Sequence, residues 1–457
     1  MVGAYISDKD IPNRGGLGIA NNLTANLDAM LWRFAFGPVL SAAPLLGSVP
    51  MATGGTFADV LAAPSPAQAF AGGVNAAGSY AQNIFTQNSR SWSVFTQNTL
   101  ELTDRLGFVL GLRWIDERKD AAFFQPEAKN DACFNTLANF GALAAGAAGT
   151  GLEQVAGTIG AFSAGFACFP FAVPVDVAPG QPESFSGIYD DNELAWTTKL
   201  TYEFNDSTSG YASFTHGFKA GGFNLDPTAA SGGASPQFGA ETNDSFEVGL
   251  KSLLFDDRVR ANFAVWNYDL EDFQVLEFTG VQFMTFNVPN AQSHGAELEM
   301  TASISQNLNL NLGYTYADSE YPDDCDGGVP NPPASVASLC GALMTNSPKN
   351  SVNLGFDYQN YIGSNQYFLS GNYRWVDERR TSTQPNLALD IMDATGLLNL
   401  RGGFGSEDGR WTVEVWGANL LDERIRTVTF NVPLRIGARA AFIAAPRTYG
   451  VTLRTTF

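Results

Sequence analysis

Segments in which apolar and polar residues alternate run through most of this 457-residue chain, and they constrain its fold more than any other feature. Alternation with a period of two is the pattern of a β-strand with two different faces. Leu308 to Ala317 shows it cleanly, because leucines and tyrosines fill the even positions and Asn, Gly and Thr most of the odd ones. About fourteen such segments are predicted to be strands.

The connections between these predicted strands alternate strictly between short turns and long loops. Thr103 to Arg105 and Ser305 to Asn307 are short turns, whereas the regions 9–89 and 117–190 are the longest loops. This alternation is typical of bacterial outer-membrane barrels, which have short periplasmic turns and long extracellular loops. We therefore predict an all-β fold, a transmembrane antiparallel up-and-down β-barrel.

The last eleven residues, Arg447 to Phe457, form a complete segment of this kind. Their apolar row contains Tyr449, Val451, Leu453 and Phe457. The segment matches the roughly 9–11 residues that a slanted barrel strand needs to cross a bilayer. Phe457 would place a ring at the membrane interface. We predict a C-terminal assembly strand with these four side chains toward lipid; the alternative is an edge strand of a soluble sheet.

The composition is compatible with a barrel and excludes several other classes of protein. Hydrophobic residues make up 45% of the chain and the mean hydropathy is −0.06, as expected when only every second strand residue meets lipid. The net charge of −20 argues against nucleic acid as a partner. His216 and His294, the two histidines, fall on apolar rows, so a Ser–His hydrolase is not expected. We predict no enzyme and no cofactor.

The four cysteines lie in two of the long loops rather than in strands. They are the disulfide candidates Cys133, Cys168, Cys325 and Cys340. Two local pairs in an oxidising compartment are the favoured interpretation, and free loop thiols are the alternative. The spacing leaves the connectivity open.

The polar row of the predicted strands would face the lumen of a barrel. The candidate lumen-facing residues are Glu247, Lys251, Glu297, Glu299, Arg374, Arg401 and Arg454. These side chains would bond a plug or a passing substrate, or they would simply meet the general need of a wet interior for polar groups. A carboxylate cluster at Asp323, Asp324 and Asp326 lacks the spacing of a calcium loop. No metal site is therefore predicted.

Four late stretches of the chain share a further pattern, in order and in spacing. They are Phe263 to Val275 (FAVWNYDLEDFQV), Asn287 to Met300 (NVPNAQSHGAELEM), Val415 to Arg424 (VWGANLLDER) and Pro446 to Phe457 (PRTYGVTLRTTF). With the earlier hairpin at Ser93 to Glu117, they make the chain resemble the barrel portion of a TonB-dependent receptor of Gram-negative outer membranes.

The resemblance implies active uptake of a scarce, bulky nutrient, such as a ferric siderophore or similar iron complex, in the outer membrane. The implied partners are outer-membrane lipid, the barrel assembly machinery, a metal-chelate or other small-molecule ligand, and the TonB complex through a plug. Such receptors have a plug, a TonB box and about 22 strands, so residues 1–457 are expected to be a partial barrel domain without plug or TonB box. The alternatives are a passive outer-membrane pore of about fourteen strands and a soluble surface-binding β-protein.

Overall fold

The computed structural model describes residues 2–18, 46–64, 66–72, 80–125, 131–157, 159–160, 183–224, 236–278, 283–328, 333–383, 388–432 and 438–456. One antiparallel sheet contains β1 (Val2–Gly18), β2 (Tyr80–Thr103), β3 (Leu106–Gln125), β4 (Glu183–Asn205), β5 (Thr208–Lys219), β8 (Glu241–Leu254), β9 (Val259–Phe278), β10 (Phe283–Ser305), β11 (Leu308–Glu320), β12 (Asn350–Ile362), β13 (Asn365–Val376), β16 (Thr395–Ser406), β17 (Trp411–Ala418) and β20 (Thr448–Thr455). Three small sheets pair β6 (Gly222–Phe223) with β7 (Gln237–Phe238), β14 (Arg379–Arg380) with β15 (Ile391–Met392), and β18 (Arg426–Asn431) with β19 (Arg439–Ile443).

The large sheet has 14 strands, and each pairs with its neighbour in chain order. All of its ladders are antiparallel. The predicted all-β, up-and-down antiparallel topology is thereby confirmed. β1 and β20 are the two edges, and within the described residues no ladder joins them.

Tight turns and longer connections alternate around this sheet, which gives it two different rims. The turn-side rim carries the tight turns, for example Asp104 between β2 and β3 and the turn of Ser406 to Trp411 between β16 and β17. The loop-side rim carries the small sheets and the helices. Those helices are α1 (Phe57–Ala62), α2 (Pro66–Phe70), α3 (Asp131–Ala147) and α4 (Ala334–Ala337). Within the described ranges, no helix is both long and apolar enough to span a membrane.

Several strands extend beyond their predicted ends on the loop side. The predicted loops 9–89 and 117–190 are therefore too long: β1 continues to Gly18, β2 begins at Tyr80, β3 continues to Gln125 and β4 begins at Glu183. The sequence gives no warning because polar residues occupy both faces there. Arg118, for example, bonds Asp120 on its own strand at 3.2 Å. Pairing by backbone hydrogen bonds needs no apolar row where neither face meets lipid.

The first two long connections pack together around a small hydrophobic core outside the sheet. Phe57 of α1 is fully buried and meets the ring of Phe70 edge to face at 6.4 Å between centroids. Leu143 of α3 joins the same core. A capping box starts α1, because the Asp59 Oδ2 atom accepts the Thr56 amide at 2.7 Å while the Thr56 hydroxyl accepts the Asp59 amide. The described parts of these connections are thus folded structures rather than open loops.

Candidate functional site

Strand registers place the seven predicted lumen residues on a single face of the sheet, here called the polar face. The registers link Lys251 to Asn262 and Asn262 to Glu299 across β8, β9 and β10. Arg374 stands opposite Asn353, whose partner Gly313 in turn stands opposite Glu299. Continuing strand by strand brings in the rest of the set: Glu247, Lys251, Glu297, Glu299, Arg374, Arg401 and Arg454. Whether this face lines a lumen stays a prediction.

The opposite face, here called the apolar face, exposes large hydrophobic side chains in row after row. On β20, Tyr449, Val451 and Leu453 are 80%, 70% and 67% exposed. Phe457, the fourth predicted residue of this row, lies outside the described part of the chain. Both histidines fall on this face, since His216 is opposite Asp244 next to Phe214 and Phe246, and His294 aligns with Asn267. Such a continuous apolar surface suits lipid rather than water.

A cavity of about 270 Å³ opens on the polar face between β5 and β10. Three carboxylates border it, those of Glu247, Glu297 and Glu299. The Tyr211 hydroxyl donates to Glu247 Oε1, and the Lys199 ammonium lies 4.3 Å from the centre of the Tyr211 ring. Lys251 also lines the cavity, but the three carboxylates outnumber this one ammonium, so the cavity is rich in acceptors and suits a hydrogen-bond-donating group.

Position 295, near this cavity, has space only for a glycine. A Cβ at this position would overlap both the Tyr316 carbonyl oxygen and the indole of Trp266. The Trp266 ring therefore lies across the glycine of the HGAELE stretch, on the polar face. A larger residue would push the ring away or spread the strands.

Beyond the loop-side rim, the described residues of the connections 320–350, 376–395 and 418–448 form one assembly. This assembly is here called the loop layer. Asp390 is its centre, since Oδ1 accepts the Thr429 hydroxyl at 2.7 Å and Oδ2 accepts Arg439 Nη2. The side chains of Asp390 and Arg439 are only 2% and 4% exposed. The Thr381 hydroxyl also donates to the Asp390 carbonyl at 2.9 Å. An ion pair this deeply buried holds only if its other hydrogen bonds are made.

Two more arginines link the connections of the loop layer to one another. Arg380 Nη1 donates to the Leu343 carbonyl at 3.1 Å, and Arg426 Nη2 donates to the Ile391 carbonyl at 2.6 Å. Burial lowers the pKa of Arg380, while Tyr321 and Asp390 act in the opposite direction. Three separate connections are therefore held by arginine contacts to backbone oxygens and by one buried carboxylate.

The structure joins Cys325 and Cys340 by a disulfide bond across a sequence separation of 15 residues. Cys325 is completely buried with Val288 and Leu339 in a second hydrophobic cluster. Tyr321 belongs to the same cluster, and burial raises its pKa to about 12. Cys168 and the side chain of Cys133 lie outside the described residues.

The same connection contains the acidic run noted in the sequence. Asp323, Asp324 and Asp326 are not brought together as a ligand set, and the described residues contain no group of three or more His, Cys, Asp or Glu side chains able to hold a metal ion.

Sequence reasoning missed the residues of the loop layer. Asp390 and Thr381 lie outside the strands, and Thr429 and Arg439 lie in the short strands β18 and β19, where no long periodicity marks a buried position. The two side-chain partners of Asp390, Thr429 and Arg439, are 39 and 49 residues away from it in the sequence.

The family model for the TonB-dependent receptor-like β-barrel matches residues 4–420. The chain belongs to the TonB-dependent receptor family. The members of this family are transport receptors rather than enzymes, and they bind siderophore or other metal-chelate ligands and TonB. As a TonB-dependent receptor chain, it is assigned to the Gram-negative outer membrane.

Relatives and solved structures agree with this assignment. The ferrichrome outer membrane transporter/phage receptor of Escherichia coli K12 is 26% identical over 197 residues, which are 41% of this chain and 25% of the relative. The ferric-pyoverdine M114 receptor of a Pseudomonas species is 26% identical over 240 residues, 49% of this chain and 25% of the relative. The chain thus spans about a quarter of the length of these relatives.

The fold similarity covers more of the chain. The ferric yersiniabactin receptor FyuA of Yersinia pestis superimposes with a TM-score of 0.61 at 15% identity, over 83% of this chain and 48% of that one. The siderophore receptor PiuA of Acinetobacter baumannii gives a TM-score of 0.54 at 15% identity, over 84% of this chain and 45% of that one.

One stretch that carries the TonB-dependent receptor resemblance has a definite structural role here. Asn287, in NVPNAQSHGAELEM, donates from Nδ2 to the Asp272 carbonyl at 2.6 Å and accepts the Gly239 amide on Oδ1 at 2.7 Å. It therefore fixes the connection after β5 to the β9–β10 hairpin. The predicted loop 271–289 is mostly this hairpin, because β9 and β10 remain paired as far as Phe278 and Phe283.

Proposed function

We propose that the protein containing this chain takes up a scarce, bulky iron chelate, a ferric siderophore or a similar complex, across the outer membrane. The observation that carries the proposal is the 14-stranded sheet with separate polar and apolar faces and one elaborated rim, in a chain of this family. The names of the ferrichrome and ferric-pyoverdine relatives support the same class of cargo.

The chain's own residues suggest how the work is divided. The apolar face meets outer-membrane lipid, and the last strand, with Tyr449, Val451, Leu453 and Phe457, is the segment presented to the barrel assembly machinery. The polar face lines the lumen. The acceptor-rich cavity at Glu247, Glu297 and Glu299 offers hydrogen bonds to a plug or to passing cargo.

On this proposal, the loops capture the chelate and a plug gates the lumen. The TonB complex acts on the plug and supplies energy from the inner membrane. The loop layer fits the capture step, because its buried Asp390–Arg439 pair and its disulfide hold a defined surface in place. Loops that merely surround an open pore have no need of such cross-links.

The test is energised uptake of radiolabelled iron by a Gram-negative strain that lacks its own siderophore receptors and expresses the full-length gene product. A panel of ferric chelates is offered, with and without functional TonB, beside an empty-vector strain. We expect uptake of at least one chelate above the empty vector, and its loss without TonB. Uptake that persists unchanged without TonB would indicate a passive pore, and uptake of none would contradict the proposal.

A further inference from the structure

The apolar face is not uniformly flat, because a groove crosses it from β10 to β16. Its volume is about 430 Å³, within the roughly 300–1,000 Å³ of pockets that hold small molecules. Two neighbouring rows of side chains form its walls, and the strand registers place both rows on the apolar face. One row contains Ala302, Leu310 and Phe356, and the other contains Met300, Leu312 and Leu354.

The floor of this groove is main chain. The row between the two walls consists of Asn311, Gly355 and Asn372, which the registers place on the polar face. The amide and carbonyl groups of this row are paired in the strand ladders, as a surface in contact with hydrocarbon requires. Phe356 deepens the groove because its ring folds against Gly371, where an added Cβ would be 2.6 Å from Phe356 Cε1. The groove therefore offers hydrocarbon contacts without leaving main-chain polar groups unpaired.

The groove runs obliquely with respect to the turn-side rim. Ala302, at one end of the groove, lies three residues from Ser305, where β10 ends. Leu398, at the other end, lies eight residues from Ser406, where β16 ends. Because a strand rises about 3.3 Å per residue, the groove starts near the turn-side boundary of the apolar face and ends closer to its middle. An acyl chain of the turn-side leaflet follows the same course, from its headgroup toward the bilayer centre.

The occupant of the groove has to be apolar and has to come from the membrane. The groove is continuous with the apolar face, which meets lipid in an outer-membrane protein of this family. A chain in a groove has wall atoms within about 4 Å on several sides, so it gains more dispersion energy than a chain on a flat surface. Short turns face the periplasm in such barrels, and the periplasmic leaflet of an outer membrane is phospholipid, whereas the outer leaflet is lipopolysaccharide.

We propose that the groove between β10 and β16 is a resident site for one acyl chain of a phospholipid in the periplasmic leaflet. The site lies on the face opposite to the polar cavity and involves no cargo, so it goes beyond the proposed function and does not depend on it. An acyl chain of lipopolysaccharide and a second copy of this chain are the other occupants that the experiment distinguishes.

The experiment measures how much phospholipid stays with the full-length protein. The protein is extracted from outer membranes in a mild detergent, and native mass spectrometry counts and identifies the bound lipids. A302F places a ring in the groove from one wall, and L354W does so from the other. A212F and L200W are the matched controls, because these residues lie on the apolar face outside the groove. Leu200 and Leu354 are 44% and 45% exposed.

We expect the wild type to retain one phospholipid for each protein. A302F and L354W should lower this occupancy on the order of tenfold, because the added ring takes the volume that the chain needs. A212F and L200W should keep the occupancy of the wild type. The heat-modifiable gel mobility of a folded barrel is the folding check for all four variants, and either groove variant suffices when the other does not fold.

Other results would overturn the inference. Equal retention of phospholipid by the groove variants and the controls means that the lipid binds elsewhere on the apolar face. Lipopolysaccharide as the retained lipid means that the chain comes from the other leaflet. A wild type that retains no lipid also excludes the site, and if it is a dimer that A302F and L354W convert to a monomer, a second copy covers the groove. All of these results leave the uptake proposal intact.

Discussion

The turn-side rim and the loop layer differ in the sequence distance over which their contacts act. In the turns, side chains cap the backbone of near neighbours: Thr103 Oγ1 accepts the Leu106 amide at 3.0 Å, and Asn205 Oδ1 accepts the Ser207 amide at 2.9 Å. In the loop layer, Asp390 and Arg439 are 49 residues apart. Local contacts can form as soon as a hairpin forms, whereas the loop layer needs the sheet to bring its parts together.

The difference matters for function because the two rims are suited to different tasks. A rim of self-sufficient turns can tolerate change in one turn without affecting the next. The loop layer behaves as one unit, since the carboxylate of Asp390 joins its own connection to the connection 418–448 and Arg380 joins it to the connection 320–350 at Leu343. A surface that recognises a ligand benefits from such cross-linking, because less ordering is required when the ligand binds.

The strongest test of this contrast is D390A against D408A. D390A leaves Arg439 buried without its partner, which costs roughly 3–5 kcal/mol of local stability. Hydrogen exchange of the β18 and β19 amides should then accelerate on the order of a hundredfold or more. D408A removes an arginine-paired carboxylate from the other rim, where the pair is 80% and 55% exposed, and should leave hydrogen exchange of the β16 and β17 amides close to that of the wild type. Equal effects of the two variants would contradict the contrast.

The disulfide provides the second test. Replacing Cys325 and Cys340 by alanine should lower the local stability of the connection 320–350 by about 3 kcal/mol, because a loop of 15 residues is no longer closed in the unfolded state. Protease cleavage in this connection is the measurement, and wild type treated with reductant is the matched comparison. Both should be cleaved faster than untreated wild type, with the sheet intact. If neither is cleaved faster, the bond does not support the loop.

The smallest expected effect is on the turn-side rim and has the opposite sign. Phe255, Asp256 and Asp257, between β8 and β9, have φ values of 57°, 53° and 62°. Because glycine adopts this left-handed region without strain, D257G should stabilise the protein by roughly 0.5–1 kcal/mol. Urea unfolding in micelles measures the change. D104G is the control, since that turn has no left-handed residue, and it should not stabilise.

How much the sequence predicts depends on how local the cause is. The strands of the sheet were predictable because each carries its own alternation, as Leu308 to Ala317 does, and the shared polar face follows from parity and register. The turn-side rim was predictable for the same reason, because its turn residues act within two or three positions.

The loop layer was not predictable, because its contacts have no period. Nothing near Asp390 in the sequence indicates that it will be buried against Arg439. The strand extensions were missed for a related reason: residues such as Arg118 and Asp120 lie in the part of β3 that continues the ladder with polar side chains. The cysteine prediction needed only a local pair at positions 325 and 340, and there the structure forms the bond.

The most direct test of the account is the lipid accessibility of β8 in the membrane. Spin labels are placed singly at Glu247, Val248, Leu250 and Lys251, in a background whose native cysteines are alanine, and relaxation by oxygen and by a water-soluble nickel chelate is measured. We predict that oxygen accelerates relaxation mainly of the labels at 248 and 250, and that the nickel chelate accelerates relaxation mainly of the labels at 247 and 251. Equal responses at all four positions would contradict a sheet with one face in lipid and the other lining a polar interior.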